Sequence, residues 1–332
     1  MDFSELIDLA SEKLGGTVLL ANDEFFAPKE NLLKPTAAIF IDGKYTDLGK
    51  WMDGWESRRR RTPGYDWCII RLGLPGIVRG VVVDTSHFKG NYPEYCSLEA
   101  CAIDGHPAIE LLISESVTWS ELLPVSPLKG DSQNPFSISV NERATHLRFK
   151  IYPDGGVARL RVYGEVVPDW ERLKRSGGEI DLASVEHGGL VLSCSDMFFG
   201  HQHNLIMPGR AANMSDGWET KRRRGPGHDW VIIRLGSPGQ IRRLEVDTSY
   251  FKGNFPESCS LEACSAAGWL EETLDDKQTS WVTVLPRTRL QAHTRHFFEQ
   301  EILDAGSVSH VRFNIFPDGG VSRLRVYGTI DG

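Results

Sequence analysis

Two short runs of basic residues have the composition of an anion-binding site. Each run, Arg58–Arg61 and Lys221–Arg224, stands between a Trp-Glu pair and a Pro-Gly turn. Alternate side chains of an extended segment point to opposite sides, so one arginine can pair with Glu56 or Asp66 while another faces a cleft. A guanidinium group binds a carboxylate or a ureido oxygen through two parallel hydrogen bonds. The runs therefore predict a site that binds an anion through Arg59, Arg60, Arg222 and Arg223. The alternative is a basic face that is exposed to solvent and binds no ligand.

A polar loop follows an apolar strand segment in each half of the chain. The loops read DTSHFKGN from Asp84 and DTSYFKGN from Asp247. Polar groups at the end of a strand are well placed to form a ligand site. The alternative is a turn in which the Asp, Thr and Ser side chains cap the local backbone. The residues of these loops that could bind a carboxylate or a carbonyl are Lys89, Asn91, Lys252 and Asn254.

Histidine and tyrosine are exchanged between the two halves at two places. His87 corresponds to Tyr250, and Tyr65 corresponds to His228. Histidine transfers protons near neutral pH, whereas tyrosine mainly donates a hydrogen bond. We therefore expect the two halves to have specialised in acid–base duties, with neutral drift as the alternative.

The sequence gives weak signals for a metal and none for a disulfide framework. In an extended backbone His201 and His203 would lie on one side, where they could bind a metal. Their counterparts Pro28–Glu30 contain no histidine, so no metal-binding residues are predicted. A divalent metal ion as a cofactor is left open. The six cysteines are expected to be reduced thiols in a chain of this size. No nucleophile elbow, phosphate loop, dinucleotide fingerprint or HExxH motif is present.

The elements that must position these residues occur twice. GWESRRRRTPGYDW from Gly54 returns from Gly217 with ten of fourteen positions identical, and IYPDGGVARLRVYG from Ile151 returns from Ile315 with twelve of fourteen. The first copy carries about ten extra residues within Thr36–Lys50. A period this long makes each copy a domain rather than a solenoid unit. We expect domains at 1–167 and 180–332, joined by a linker at 168–179.

Within each copy the hydrophobic pattern predicts strands. Leu147, Phe149 and Ile151 alternate with polar residues before a Pro-Asp-Gly-Gly turn, which is typical of a hairpin with one buried face. Shorter strands are predicted at 69–72, 81–83 and 97–103, and a helix at Phe3–Leu14. The fold class is therefore all-β, with an antiparallel β-sandwich in each copy and ligand groups on loops at one end.

Charge and composition limit the partners. The net charge of −8 argues against general affinity for nucleic acid. No apolar run approaches the roughly 20 residues needed to cross a bilayer. The acidic N-terminus lacks the pattern of a signal peptide, so a cytoplasmic protein without membrane association is expected.

The doubled segments DGWE(S/T)(R/K)RRR, DTS(H/Y)FKGN and PDGGV(A/S)RLRVYG resemble the allantoicase family over nearly the whole chain. The resemblance implies two tandem jelly-roll domains of the galactose-binding-like type, hydrolysis of allantoate to ureidoglycolate and urea, and a homo-oligomer. It implies that the basic residues above anchor the substrate carboxylate. Candidates for proton transfer in such a reaction are His87, His228, Asp84 and Glu94. The alternative is a tandem module that binds a small polar or anionic ligand without catalysis.

Overall fold

The same order of secondary-structure elements appears twice in the computed structural model, which describes residues 2–266 and 279–331. The chain divides into two units, 1–167 and 168–332. The strands of the first unit are β1 (Ile7–Asp8), β2 (Thr17–Ala21), β3 (Tyr45–Thr46), β4 (Gly49–Lys50), β5 (Trp55–Glu56), β6 (Asp66–Asp84), β7 (Tyr95–Cys101), β8 (Ser120–Pro127), β9 (Gln133–Ser137), β10 (Arg143–Tyr152), β11 (Gly156–Val157) and β12 (Arg159–Val166).

The second unit repeats this series. Its described strands are β13 (Ile180–Asp181), β14 (Leu190–Cys194), β15 (Trp218–Glu219), β16 (Asp229–Asp247), β17 (Ser258–Cys264), β18 (Val282–Arg289), β19 (Arg295–Phe298), β20 (Ser307–Phe316), β21 (Gly320–Val321) and β22 (Arg323–Ile330). Helices are short: α1 (Ile109–Leu112), α2 (Trp170–Ser176) and the 3-10 turns Phe3–Glu5, Glu12–Leu14, Lys29–Leu33, Val185–His187, Gln202–Ile206 and Met214–Asp216.

One long strand joins the two layers of each unit. The first part of β6 pairs with β2 and β10, and its last part pairs with β12 and β9. All of these pairs are antiparallel, and β16 has the same role in the second unit. The predicted all-β fold, a jelly-roll sandwich in each unit, is confirmed.

The strands predicted at 69–72 and 81–83 are present, but the break predicted between them is absent, since both belong to β6 and its Gly76 and Gly80 pair with β12. A Cβ on Gly76 would lie 2.3 Å from the carbonyl oxygen of Glu165.

The helix predicted at Phe3–Leu14 is also absent. Its middle forms β1, which pairs with β12, and the Asp8 side chain accepts hydrogen bonds from the amides of Ala10 and Val162. Tertiary pairing therefore overrides the helical spacing of the apolar residues.

The segment predicted as a linker, 168–179, contains the helix α2.

The turn between β10 and β12 supports the loop that follows β6. The amide of Gly156 donates to the carbonyl of Asn91 at 2.8 Å, and a Cβ at Gly156 would lie 1.9 Å from the buried ring of Phe88. Gly155 has a φ of 137° and lies against the backbone of Asn91. The Pro-Asp-Gly-Gly sequence is thus explained by close packing under this loop.

The extra segment of the first unit is fastened at its base by an ion pair. Arg159 is buried and lies 2.6 Å from Asp53, and its guanidinium also donates to the carbonyl of Thr36. Burial opposes ionisation of Asp53, but Arg159 lowers the pKa of this carboxyl. The segment between Thr36 and Asp53 is therefore held against the sandwich at both ends.

Candidate functional site

A buried tryptophan fixes the position of Glu56. Trp55 is completely buried, and its indole nitrogen donates to the carbonyl of Asp23 at 2.8 Å. β5 pairs with β11 on one side, while Glu56 and Ala27 form a backbone bridge on the other. Glu56 therefore has a rigid backbone, and its side chain faces a cavity.

The cavity beside Glu56 has a volume of about 550 Å³. The polar side chains that line it are Lys50, Glu56, His87, Lys89 and Asn91, and the apolar ones are Phe26, Phe40 and Met52. An adjoining cavity of about 330 Å³ shares Phe26, Glu56, Gly90 and Asn91, and adds Arg59, Glu94 and Asp154. We call the two together the first-unit cleft.

Glu56 is the group of this cleft best suited to donate a proton. Its side chain is almost buried, and Asn91 donates a hydrogen bond to Oε1 at 2.7 Å. Burial raises the pKa of Glu56, because the loss of water penalises the carboxylate more than the Asn91 amide stabilises it. A neutral amide stabilises the carboxylate less than a cation would, so burial still leaves the pKa of Glu56 raised.

The loop after β6 presents His87 and Lys89 to the same cleft. His87 has a φ of 71°, a left-handed conformation that is unusual for a non-glycine residue. Asp131 supports this turn, because it accepts the amide of His87 at 2.7 Å and lies 3.8 Å from the Lys89 ammonium group. The His87 Nε2 is 3.2 Å from the carbonyl of Ala38, to which it must donate. In the neutral imidazole, Nδ1 is then the proton acceptor.

The arginine run separates into structural and cleft-lining members. Arg58 pairs with Asp23 at 2.7 Å, and Arg60 pairs with the buried Asp66 at 2.6 Å. Arg59 has neither of these partners and lines the first-unit cleft. The alternation predicted from sequence is therefore present, but Arg60 stabilises the fold rather than lining the cleft, and Glu56 pairs with Asn91 instead of an arginine.

The corresponding residues of the second unit form a different arrangement. Asn254 donates to Glu219, and its amide also contacts the Met214 sulfur at 3.6 Å. Tyr250 occupies the place of His87, and its amide donates to Nδ1 of His293. Two other predicted binding residues, Arg222 and Lys252, are exposed, and Arg223 forms an ion pair with the buried Asp229.

The four candidates for proton transfer do not come together. Only His87 and Glu94 line the first-unit cleft, Glu94 at its exposed edge. Asp84 is buried under the loop and accepts the amide of Ser86 at 2.8 Å, which is the turn-capping alternative. His228 lies in a separate cavity of the second unit, next to Asn314.

Sequence reasoning missed three polar contributors, Glu56, Lys50 and Asp131. The sequence pattern indicates an ion pair between Glu56 and an arginine, although the place of Glu56 beside a repeated tryptophan is a usable signal of a different role. Lys50 belongs to the extra segment, which has no counterpart in the second unit. A comparison of the two repeats therefore does not single out Lys50. Asp131 comes from a distant turn that only the fold brings to His87.

Other candidate chemistry finds no support in the part of the chain that the structure describes. His201 caps a 3-10 turn by accepting the amide of His203, and residues 2–266 and 279–331 contain no group of three or more metal-ligating side chains. The six cysteines are unpaired, and burial raises the pKa of Cys101 and Cys264 to about 11. None of the helices in those ranges is long and apolar enough for a membrane crossing.

Comparison with known proteins identifies the relatives of this chain. The model of the allantoicase repeat matches residues 7–167 and 180–331. A probable allantoicase 1 of Burkholderia mallei (strain ATCC 23344) is 49% identical over 98% of this chain and 95% of that protein. The allantoicase of Dictyostelium discoideum is 50% identical over 97% of this chain and 87% of its own length. The crystal structure of allantoicase from Saccharomyces cerevisiae superimposes with a TM-score of 0.81 at 38% identity, covering 98% of this chain and 94% of that one. The chain belongs to the allantoicase family.

Proposed function

We propose that the first-unit cleft hydrolyses allantoate, a small carboxylate that carries two ureido groups on one carbon, to ureidoglycolate and urea. The observation that supports this most directly is the buried, amide-paired carboxyl of Glu56 opposite the cationic side chains of Lys50, Lys89 and Arg59. An acid and several anion-binding groups in one cleft are what cleavage of this substrate requires.

The cationic side chains orient the substrate. Lys89 lines one of the two adjoining cavities and Arg59 lines the other, while Asn91 lines both. A carboxylate bound by Lys89 leaves the ureido oxygens for Arg59, whose planar guanidinium matches them. The apolar walls Phe40 and Met52 limit access of water to the reacting carbon.

Cleavage of the carbon–nitrogen bond needs a proton on the departing urea nitrogen. Glu56 supplies it from Oε2, because Oε1 accepts the Asn91 amide. The retained ureido nitrogen gives its proton to His87 Nδ1, and its electron pair forms the carbon–nitrogen double bond of an acylimine. Urea leaves as a neutral molecule, and no bond to the protein forms.

Water then adds to the acylimine carbon. The Glu56 carboxylate removes a proton from the water, while protonated His87 returns a proton to the nitrogen. These transfers restore both residues to their starting states and yield ureidoglycolate. The two steps together consume one water molecule and release one urea.

Turnover and isotope exchange test this proposal separately. Purified chain incubated with allantoate should release urea above an enzyme-free control, and the absence of urea would leave the non-catalytic binding module as the assignment. Carbon-labelled urea added during turnover should appear in the unreacted allantoate, because it can re-add to the acylimine. A covalent protein adduct trapped by rapid denaturation would contradict the mechanism.

A further inference from the structure

The second unit contains a cavity of about 580 Å³ on a different part of its sandwich. It lies over neighbouring strands β16, β20, β17 and β18 rather than at the loops that correspond to the first-unit cleft. Cross-strand rows form its floor: Trp230 pairs with Asn314, which pairs with Ser260, and Arg312 pairs with Glu262. His228 and Arg287 lie at its sides.

In the first unit the equivalent surface is covered by that unit's own side chains. Lys150 stands where the second unit has Asn314, and its ammonium group reaches Glu99 at 2.5 Å and the Tyr65 ring at 5.2 Å. The hydroxyl of Tyr152 hydrogen-bonds Ser97 at 2.9 Å, whereas its counterpart Phe316 has no hydroxyl. The second unit replaces the long Lys150 with a short amide and thereby leaves space above the same strands.

The walls of this cavity are flat and aromatic. The ring of His228 lies 4.7 Å from that of Phe316, and the guanidinium of Arg287 lies 4.2 Å from the centre of the same ring. Trp230 is half-buried in the floor. Such surfaces bind planar groups by stacking.

The charges of the lining favour an anion. Two guanidinium groups face the cavity against one lining carboxylate, Glu262. Arg312 pairs with Glu262 at 2.8 Å, and Arg287 pairs at 2.9 Å with Glu257, which lies at the exposed rim. In the first unit the position that corresponds to Arg287 is occupied by Val125, which carries no charge. Only the second unit therefore has a cation at this position.

We propose that this cavity is a second ligand site, which binds a small organic carboxylate bearing a planar uncharged group such as a ureide or an amide. Arg287 and His228 bind the carboxylate, and the planar group stacks on Trp230, since the Phe316 ring already contacts both of those side chains. The cavity binds without hydrolysing, because its carboxylate Glu262 is paired with a cation, whereas Glu56 is paired with a neutral amide. This inference depends on the second unit alone and not on the catalytic role proposed for the first.

The test uses radiolabelled N-carbamoylglycine, a stable carboxylate with one ureido group, in equilibrium dialysis with the full chain. We expect two molecules bound per chain at saturation. Asn314→Lys, which restores the residue of the first unit, should remove one of them, and Arg287→Val should weaken the same event by about tenfold. Both replacements use residues that the first unit already carries at these positions, and both should leave the rate of urea release from allantoate unchanged.

Lys89→Ala provides the matched control, since it should weaken only the other binding event. Binding that Asn314→Lys and Arg287→Val leave unchanged would overturn the second site, whatever the result with Lys89→Ala. If Lys89→Ala left both binding events unchanged, that result would instead count against the first-unit cleft. The uncharged amide of N-carbamoylglycine should bind at least about tenfold more weakly to the second site, and equal binding would contradict recognition of a carboxylate.

Discussion

The two units share a fold and most of a motif set, yet they present different chemistry at the loop after the long strand. In the first unit Glu56 and Asn91 face an open cleft walled by the extra segment, with His87 and Lys89 beside them. In the second unit the equivalent Asn254 donates to Glu219 and also contacts the Met214 sulfur. Glu56, Asn91 and Lys89 all recur in the second unit, so the residues that differ, such as His87 and those of the extra segment, decide where a ligand fits.

The supporting turn shows the same division. Asp131 holds the His87 loop through a backbone hydrogen bond and lies near Lys89, and the second unit has His293 at that place. A carboxylate is replaced by an imidazole with the same local backbone conformation, since φ is 49° at Asp131 and 51° at His293. The shape of the loop is thus independent of the charge that it carries.

The largest expected effect separates the two glutamates. Glu56→Gln should lower kcat by about 10²–10⁴-fold, because general acid catalysis contributes on that order. Glu219→Gln should leave kcat unchanged. Urea release at saturating allantoate measures both, and a comparable loss from Glu219→Gln would place catalysis in the second unit as well.

A second prediction concerns a feature in which the two units agree. His146 and His310 are buried, and each Nδ1 hydrogen-bonds a neighbouring hydroxyl, Thr145 and Ser309 respectively, at 2.8 Å. Burial lowers the pKa of each to about 4. The folded protein therefore stays unprotonated here while the unfolded chain binds protons below its ordinary histidine pKa of about 6.5, so stability is lost as the pH falls from there towards 4.

Urea unfolding at pH 7 and pH 5 measures this loss. Each histidine should contribute about 2 kcal/mol to the decrease in the free energy of unfolding. His146→Leu and His310→Leu should each remove their own share of the pH dependence. If a single replacement left the pH dependence intact, the buried imidazoles would not be its source.

Third in size is the effect of the lysines at equivalent positions. Lys89→Ala should raise KM for allantoate by about 10–100-fold, the value of one charge-assisted hydrogen bond, with a smaller change in kcat. Lys252→Ala serves as the control, because Lys252 lies on the unit in which Tyr250 stands in place of His87. An equal rise in KM for Lys252→Ala would show that both loops bind substrate.

The sequence predicts those features of the fold and the site that depend on neighbouring residues. It does not predict features that form only when the fold brings distant residues together. The sandwich follows from the alternation around Leu147 and from the repeat, both of which are local signals. Asp131 reaches His87 only because its turn lies beside the loop after β6, across 44 residues of chain. The burial that raises the pKa of Glu56 likewise depends on packing that residue types alone do not specify. Asp84 shows the converse, since its polar loop position predicted a site whereas its side chain caps a turn.

The smallest effect distinguishes two adjacent arginines. Arg60→Ala should destabilise the fold by about 1–3 kcal/mol, because it leaves the buried Asp66 without its cation. Arg223→Ala should destabilise the second unit in the same way, because it leaves the buried Asp229 without its cation. Arg59→Ala should leave stability unchanged and raise KM, because its side chain lines the cleft. Urea unfolding and initial rates on the three variants measure both quantities. If Arg59→Ala destabilised the protein and Arg60→Ala changed only KM, the assignment of one arginine to the fold and its neighbour to the substrate would be reversed.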